Sequence, residues 1–155
     1  MKFYYIYKFK FCTLGIAENE GAVSNVFFDK NKPPKGFEKR ETPLIKKTAS
    51  QLEEYFGRKR KVFDIPLAFH GTAFKVKVWE ALQTIPFGET RSYGEVAAMI
   101  ENPKACRAVG MANNTNQIVI IIPCHRVIGH DGNLTGYAGG LDLKQKLLEL
   151  ERAVS

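Results

Sequence analysis

The sequence predicts a two-lobed α/β (α+β) protein, with a small sheet-plus-helix lobe over residues 1–66 and a mainly helical lobe, built on a helix-turn-helix, over residues 67–155. Three observations predict it. A hydrophobic period of two opens the chain, and short, closely spaced helical patterns replace it near residue 70. The third is size: 155 residues, 45% hydrophobic and 25% charged, suffice to bury roughly 70% of the unfolded surface without disulfide or metal staples. Disorder and collagen-like repeats are excluded.

In the first lobe Phe3, Tyr5, Tyr7, Phe9 and Phe11 alternate with Lys2, Tyr4, Ile6, Lys8 and Lys10, the period of a half-buried strand. A second strand is expected at residues 23–28, and the segment 29–36 is turn-rich. Thr42 caps a helix with Pro43 at its first position; Leu44, Ile45, Thr48, Leu52, Tyr55 and Phe56 follow helical spacing until Gly57 ends it.

After a connector at residues 67–71, Thr72 caps a helix carrying Phe74, Val78, Leu82 and Ile85 on one face, stopped by Pro86. Ser92 and Glu95 have the spacing of a capping box for a short helix through Ile100, and Asn102-Pro103 starts another running to about Asn113. Two short helices joined by a tight turn fit a helix-turn-helix, or an ordinary helical hairpin. Residues 117–122, apolar and β-branched, read as a buried strand ending at Pro123. A glycine-rich loop around Tyr137 follows, then a helix over residues 142–152 carrying Leu143, Leu147, Leu148 and Leu150.

The three cysteines, Cys12, Cys106 and Cys124, are odd in number and far apart, which points to a reducing compartment rather than a secreted disulfide framework. No apolar run approaches the roughly 20 residues that span a bilayer, and Lys8 and Lys10 interrupt the aromatic N-terminus, so no signal peptide is read. A cytoplasmic protein with no membrane contact is expected. The net charge of +7 attracts polyanions, but the excess is N-terminal: residues 1–70 hold 14 Lys and Arg against 8 Asp and Glu. The run Arg58-Lys59-Arg60-Lys61 is either a solvated loop or a phosphate contact.

The residue with most chemical promise is Cys124, a thiol at a segment end followed directly by His125 and Arg126. A thiolate is the attacking species, and neighbouring basic or cationic groups favour it. Adjacent residues of an extended strand point opposite ways, so His125 activates Cys124 only through a turn or a bridging water. From these residues alone, a reactive thiol and a buried inert one remain open.

The string Ile122-Pro123-Cys124-His125-Arg126-Val127 is more specific than a Cys-His pair. It resembles the active-site signature of the O6-alkylguanine-DNA alkyltransferases, or methylated-DNA–protein-cysteine methyltransferases. The resemblance runs over about residues 71–152. It takes in Gly71-Thr72-Ala73-Phe74, Val78-Trp79, Pro86-Phe87-Gly88-Glu89-Thr90, Ser92-Tyr93-Gly94-Glu95-Val96-Ala97, Arg107-Ala108-Val109-Gly110 and Gly136-Tyr137-Ala138-Gly139-Gly140-Leu141, in the family's order.

The resemblance implies irreversible, one-per-molecule transfer of an alkyl group from O6-alkylguanine in double-stranded DNA to Cys124, with O4-alkylthymine as a second candidate substrate and no cofactor; no metal is expected, because too few candidate ligands stand outside the active site. It implies a ribonuclease-H-like first lobe and a winged-helix-like second one. His125 is implied as a base acting through water, Glu151 as the group that orients it, Asn116 as a support of the active-site turn, and Tyr93 as the donor to the purine. The nucleotide has to leave the stack, since its O6 atom is inaccessible in duplex DNA. Arg107 is implied as the finger filling the gap, with Ala105, Cys106 and Ala108 small enough for close minor-groove approach. Val127, Tyr137, Ala138 and Gly139 are implied as the base pocket.

Three positions depart from the family's pattern. Ala138 stands where some relatives have serine, Val119 where some have proline, and Cys106 where alanine is usual. Some relatives bind zinc in the first lobe; here only Cys12 and His70 are candidate ligands outside the active site, too few for a four-ligand site. Two other readings compete: a recognition module that flips the base without reacting, and a cysteine hydrolase. A monomer is expected, because no dimerisation heptad is visible.

Overall fold

The computed structural model describes residues 1–152, which divide into two compact units: residues 1–69 with 117–119, and residues 70–116 with the chain from 120 onward. The first unit is a four-stranded mixed sheet with one helix; the second is mainly helical, so the class is the expected one. No helix among the described residues is long and apolar enough to cross a membrane.

In the first unit β1 (Lys2–Lys8) pairs antiparallel with β2 (Thr13–Asn19), which pairs antiparallel with β3 (Ala22–Phe28); β4 (Glu38–Lys39) lies parallel to β1, giving the order β3-β2-β1-β4. The opening strand is shorter than its alternation predicts. A turn closed by the Phe9 amide on the Cys12 carbonyl (2.8 Å) reverses the chain so that β2 can run back along β1. Glu20 (φ 55°) and Gly21 (φ 81°) make the tight hairpin into β3 with the two positive φ angles that favour the sheet's twist. Gly15 is required in β2, since a Cβ there would lie 2.1 Å from the Phe27 ring.

Helix α1 (Pro43–Phe56) begins where its sequence signals put it, with the Thr42 hydroxyl accepting from the Ile45 amide, and it buries Ile45, Thr48, Leu52, Tyr55 and Phe56. Arg60 in the basic run is paired with Glu54 at 2.8 Å and donates to the Val62 carbonyl, as the loop reading expects.

The expected strand at residues 117–122 is not formed. All five residues from Ile118 to Ile122 are buried, but only the start of the run is paired: the Val26 amide donates to the Gln117 carbonyl and the Val119 amide to the Val26 carbonyl. Ile120 then adopts φ 71°, a conformation that costs a β-branched residue about 1–3 kcal/mol and breaks the ladder. Burial explains the run's composition without a continuous strand. The chain is thereby turned into the segment that carries Cys124.

In the second unit α2 (Ala73–Leu82) is capped by Thr72 and buries Val78, Trp79 and Leu82; the Trp79 indole donates to the Ala112 carbonyl at 2.9 Å. Helix α3 (Tyr93–Met99) has both bonds of the expected capping box, Glu95 amide to Ser92 hydroxyl (3.1 Å) and Ser92 amide to Glu95 carboxylate (2.8 Å). Helix α4 (Cys106–Asn114) starts later than Asn102-Pro103 suggests. Those residues form a turn closed by the Ala105 amide on Asn102, and the Val109 amide makes the first helical bond, to Ala105. Two two-residue strands, β5 (Arg91–Ser92) and β6 (Val127–Ile128), pair in parallel and set the start of α3 beside the chain leaving Cys124. Helix α5 (Leu141–Arg152) closes the unit.

Candidate active site

Cys124, His125 and Arg126 form a single 3₁₀ turn after Pro123, closed by the Arg126 amide on the Pro123 carbonyl at 3.0 Å. The turn replaces the extended geometry that would have sent Cys124 and His125 to opposite faces. Two asparagines hold it. Asn116 donates to the Ile122 carbonyl at 2.8 Å and bonds the Cys124 thiol through its side chain, while Asn113, at the end of α4, donates to the Cys124 carbonyl at 3.3 Å.

Glu151, in the last turn of α5, is the electrostatic centre of the site. One of its oxygens lies 2.6 Å from His125 Nε2; the other accepts from Arg126 Nε at 2.8 Å and from the Gly88 amide at 3.2 Å. Arg126 adds a second bond to the carboxylate at 3.1 Å and donates to the Ile85 carbonyl at 2.7 Å. His125 and Glu151 are sealed from solvent, so these bonds are not shared with water. Burial alone would raise the Glu151 carboxyl, but the hydrogen bonds from His125 and Arg126 and the Arg126 charge outweigh it and hold the group well below the usual carboxylate range. Burial also depresses the His125 imidazolium, more than Glu151 restores it, leaving a neutral ring at pH 7.

Burial pushes the Cys124 thiol up to about 11, against the opposing pull of Asn116 and the Lys144 ammonium. At pH 7 the thiol is therefore almost wholly protonated. The resting site is a guarded thiol. Iodoacetamide at pH 8 is therefore expected to label exposed Cys106 first, and Cys124 at least about 100-fold more slowly than an ordinary exposed thiol, as read by peptide mapping over time. Equal labelling of the two would show an open, ionised acceptor.

Thus four of the expected residues stand as two bonded pairs on one turn, Asn116 with Cys124 and Glu151 with His125. Tyr93, the first residue of α3, instead meets the Thr135 hydroxyl. Arg107, Cys106 and Ala108 lie on the exposed side of the first turn of α4, with Ala105 half-buried at its start. Val127 is buried and its carbonyl already accepts from Lys144 at 2.7 Å; Tyr137 and Gly139 are half-buried and Ala138 is exposed. Among the described residues no cluster of His, Cys, Asp or Glu could hold a metal ion.

Sequence reasoning missed Lys144, Thr135, Asn113 and the clamp role of Arg126. A signal for one of them was present: Lys144 and Glu151 fall at positions i and i+7 on the stripe of Leu147 and Leu148, and charges on an apolar helix face are buried and hence partnered.

Comparison with known proteins gives two matched family models, both described as 6-O-methylguanine DNA methyltransferase: its ribonuclease-like domain over residues 2–69 and its DNA-binding domain over residues 73–153. A methylated-DNA–protein-cysteine methyltransferase of Methanosarcina mazei is 48% identical over 154 residues, covering 96% of each chain. The constitutive methylated-DNA–protein-cysteine methyltransferase of Bacillus subtilis is 46% identical, over 88% of this chain and 87% of its own. A crystal structure of Mycobacterium tuberculosis OGT in complex with DNA superposes with a TM-score of 0.91 at 42% identity, over 97% of this chain and 92% of that one.

Proposed function

The chain belongs to the 6-O-methylguanine DNA methyltransferase family, and on that premise we propose that Cys124 is the cysteine to which it moves the alkyl group. The protein is a DNA-repair alkyltransferase acting on methylated DNA. The observation that carries the assignment is the turn on which Asn116 holds the thiol while Glu151, itself clamped by Arg126, holds His125.

The reaction is a displacement at an sp³ carbon. A bond forms between Cys124 Sγ and the alkyl carbon, the carbon–O6 bond breaks, and its electron pair stays on the purine. The thiol proton leaves through a water to His125, which is neutral and able to accept it; the Glu151 carboxylate then faces the imidazolium. Tyr93 gives a proton to the purine as charge develops there, so guanine departs neutral. With the free thiol at about 11, bulk ionisation supplies little thiolate, and alignment of the carbon on Sγ has to carry most of the rate.

Getting that carbon to a buried thiol requires a flipped nucleotide. Arg107, exposed in the first turn of α4, is our candidate for the group that enters the vacated stack, with Ala105, Cys106 and Ala108 allowing close minor-groove approach. Tyr137, Ala138, Gly139 and the main chain of Val127 are the proposed pocket. We read the protein as a cytoplasmic monomer; the three free cysteines, Cys12, Cys106 and Cys124, support a reducing compartment.

The test is intact mass with peptide mapping after incubation with duplex DNA carrying one O6-methylguanine, beside unmodified duplex. The expected result is one added methylene equivalent, on Cys124, saturating at one per protein. Tight lesion-selective binding with no mass change would leave a recognition module and sink the assignment.

A further inference from the structure

Helix α5 sends one more charged side chain inward. Lys144 is fully buried, and its ammonium donates to the Val127 carbonyl at 2.7 Å and to the Thr135 carbonyl at 3.1 Å, with Thr135 Oγ1 at 3.5 Å. The same Thr135 hydroxyl is hydrogen-bonded to the Tyr93 phenol. Three groups from α5, the glycine-rich loop and α3 are therefore in line, Lys144 to Thr135 to Tyr93.

The donor inventory allows the line to run toward the phenol. An ammonium only donates, so Thr135 Oγ1 is the acceptor toward Lys144. Its single O–H is then available to Tyr93, whose oxygen accepts and whose own proton is left to point elsewhere. Reversing the Tyr93–Thr135 bond would use up the phenol proton and send the threonine O–H to another acceptor, so only the first arrangement leaves the phenol proton for a ligand. The loop is built to hold Thr135 in place: the Gly129 amide bonds the Asn133 carbonyl at 2.9 Å, and Asp131 accepts from the Asn133 amide at 3.1 Å and its side chain at 2.8 Å. A side chain at Gly129 would meet Asp131 at 2.9 Å and Asn133 at 3.2 Å, so the turn is close-packed.

We infer that Thr135 is a positioning residue for Tyr93: its hydroxyl, oriented by the Lys144 ammonium, donates to the Tyr93 oxygen and so frees the phenol proton for the purine. This rests on the reading of Tyr93 as the purine's proton donor. When the carbon–O6 bond breaks and its electron pair moves onto the purine, Tyr93 passes its proton to a purine ring nitrogen. The phenolate left behind keeps the Thr135 hydrogen bond, backed by the positive charge of Lys144, until water returns a proton after the base leaves. A hydrogen bond to a group that becomes charged gains strength as the charge forms, so Thr135 acts on the rate and not on lesion binding.

The experiment is a double-mutant cycle on the full-length protein: wild type, Thr135→Val, Tyr93→Phe and the pair, with Thr135→Ser and Thr135→Ala alongside. Each is read as a single-turnover transfer rate from O6-methylguanine duplex against protein concentration, which separates the maximal rate from half-saturation. Thr135→Val and Thr135→Ala are expected to lower the maximal rate about 10- to 100-fold with half-saturation unchanged. Thr135→Ser restores most of it, and in the Tyr93→Phe background Thr135→Val adds less than about 3-fold. The inference is overturned if Thr135→Val matches wild type, changes only half-saturation, or slows the Tyr93→Phe protein by its full factor. A Tyr93→Phe protein as fast as wild type instead removes the donor reading itself, and is seen without any Thr135 variant.

Discussion

Cys124→Ser is expected to abolish alkyl transfer, lowering the single-turnover rate by at least about 10⁴-fold, while lesion-containing duplex binds within a few-fold of wild type. Serine fills the same space and keeps a group for Asn116 to bond, so the 3₁₀ turn and its Ile122 and Cys124 carbonyl contacts survive. What is lost is the nucleophile. A hydroxyl ionises far less readily than a thiol, and its oxygen is a harder, less polarisable attacker at an sp³ carbon. His125 can receive a proton but cannot drive ionisation of an alcohol by itself. Intact mass after prolonged incubation checks the first half, and an electrophoretic mobility shift the second. A methyl adduct on the variant would move the acceptor to Cys106 or Cys12.

Glu151→Gln is expected to damage both stability and rate, for one electrostatic reason. The amide is nearly isosteric, yet it removes the negative charge that faces the Arg126 guanidinium and His125 in a buried site. Leaving a buried guanidinium without its counter-charge costs about 3–5 kcal/mol, equivalent to a fall in melting temperature of roughly 6–20 °C for a chain of this size. Transfer slows by about 100-fold or more, because the imidazolium formed on His125 no longer faces a carboxylate. Circular dichroism melts and single-turnover rates measured at a temperature where both proteins are folded separate the two effects. A variant with wild-type rate would remove Glu151 from the mechanism and leave it a structural role only.

The acid limb of stability carries the same signature. Glu151 is depressed in the folded protein, so its contribution is fully present above the ordinary carboxylate value of 4.5 and is lost as pH falls below it. His125 is depressed too, and its burial as a neutral ring begins to cost stability as pH drops below 6.5, where the unfolded chain takes up the proton first. Wild type should lose melting temperature from about pH 6.5 downward and faster below 4.5. The gap to Glu151→Gln should narrow below 4.5, since glutamine has no proton to gain.

Local signals were read correctly where the physics is local. Thr42 with Pro43, Thr72, and Ser92 with Glu95 cap their helices as their spacing requires, because a cap involves residues three or four apart. Strand β2 gave no such sign: Leu14 through Glu18 are all buried, so the alternation that reveals a half-exposed strand is missing. Strands β5 and β6 are too short to form a pattern, yet they set Tyr93 beside the segment leaving Cys124. The run at residues 117–122 misled because its composition reports burial, whereas only its start pairs, Ile118 beside Val26, and Ile120 leaves the strand conformation at φ 71°.

By itself, the sequence determined the Pro123-Cys124-His125-Arg126 motif, the capped helices that flank it, the fold class and the family resemblance, all of which are carried by contiguous residues. Tertiary structure alone decided that the thiol rests protonated, that Arg126 joins His125 on Glu151, and that Lys144 reaches Tyr93 through Thr135. These depend on distance and dielectric between side chains 25 or 26 positions apart in the case of Glu151, and 42 in the case of Tyr93 and Thr135. Charges and hydrogen bonds act through space, and only the folded chain sets which groups are close and which have lost their water.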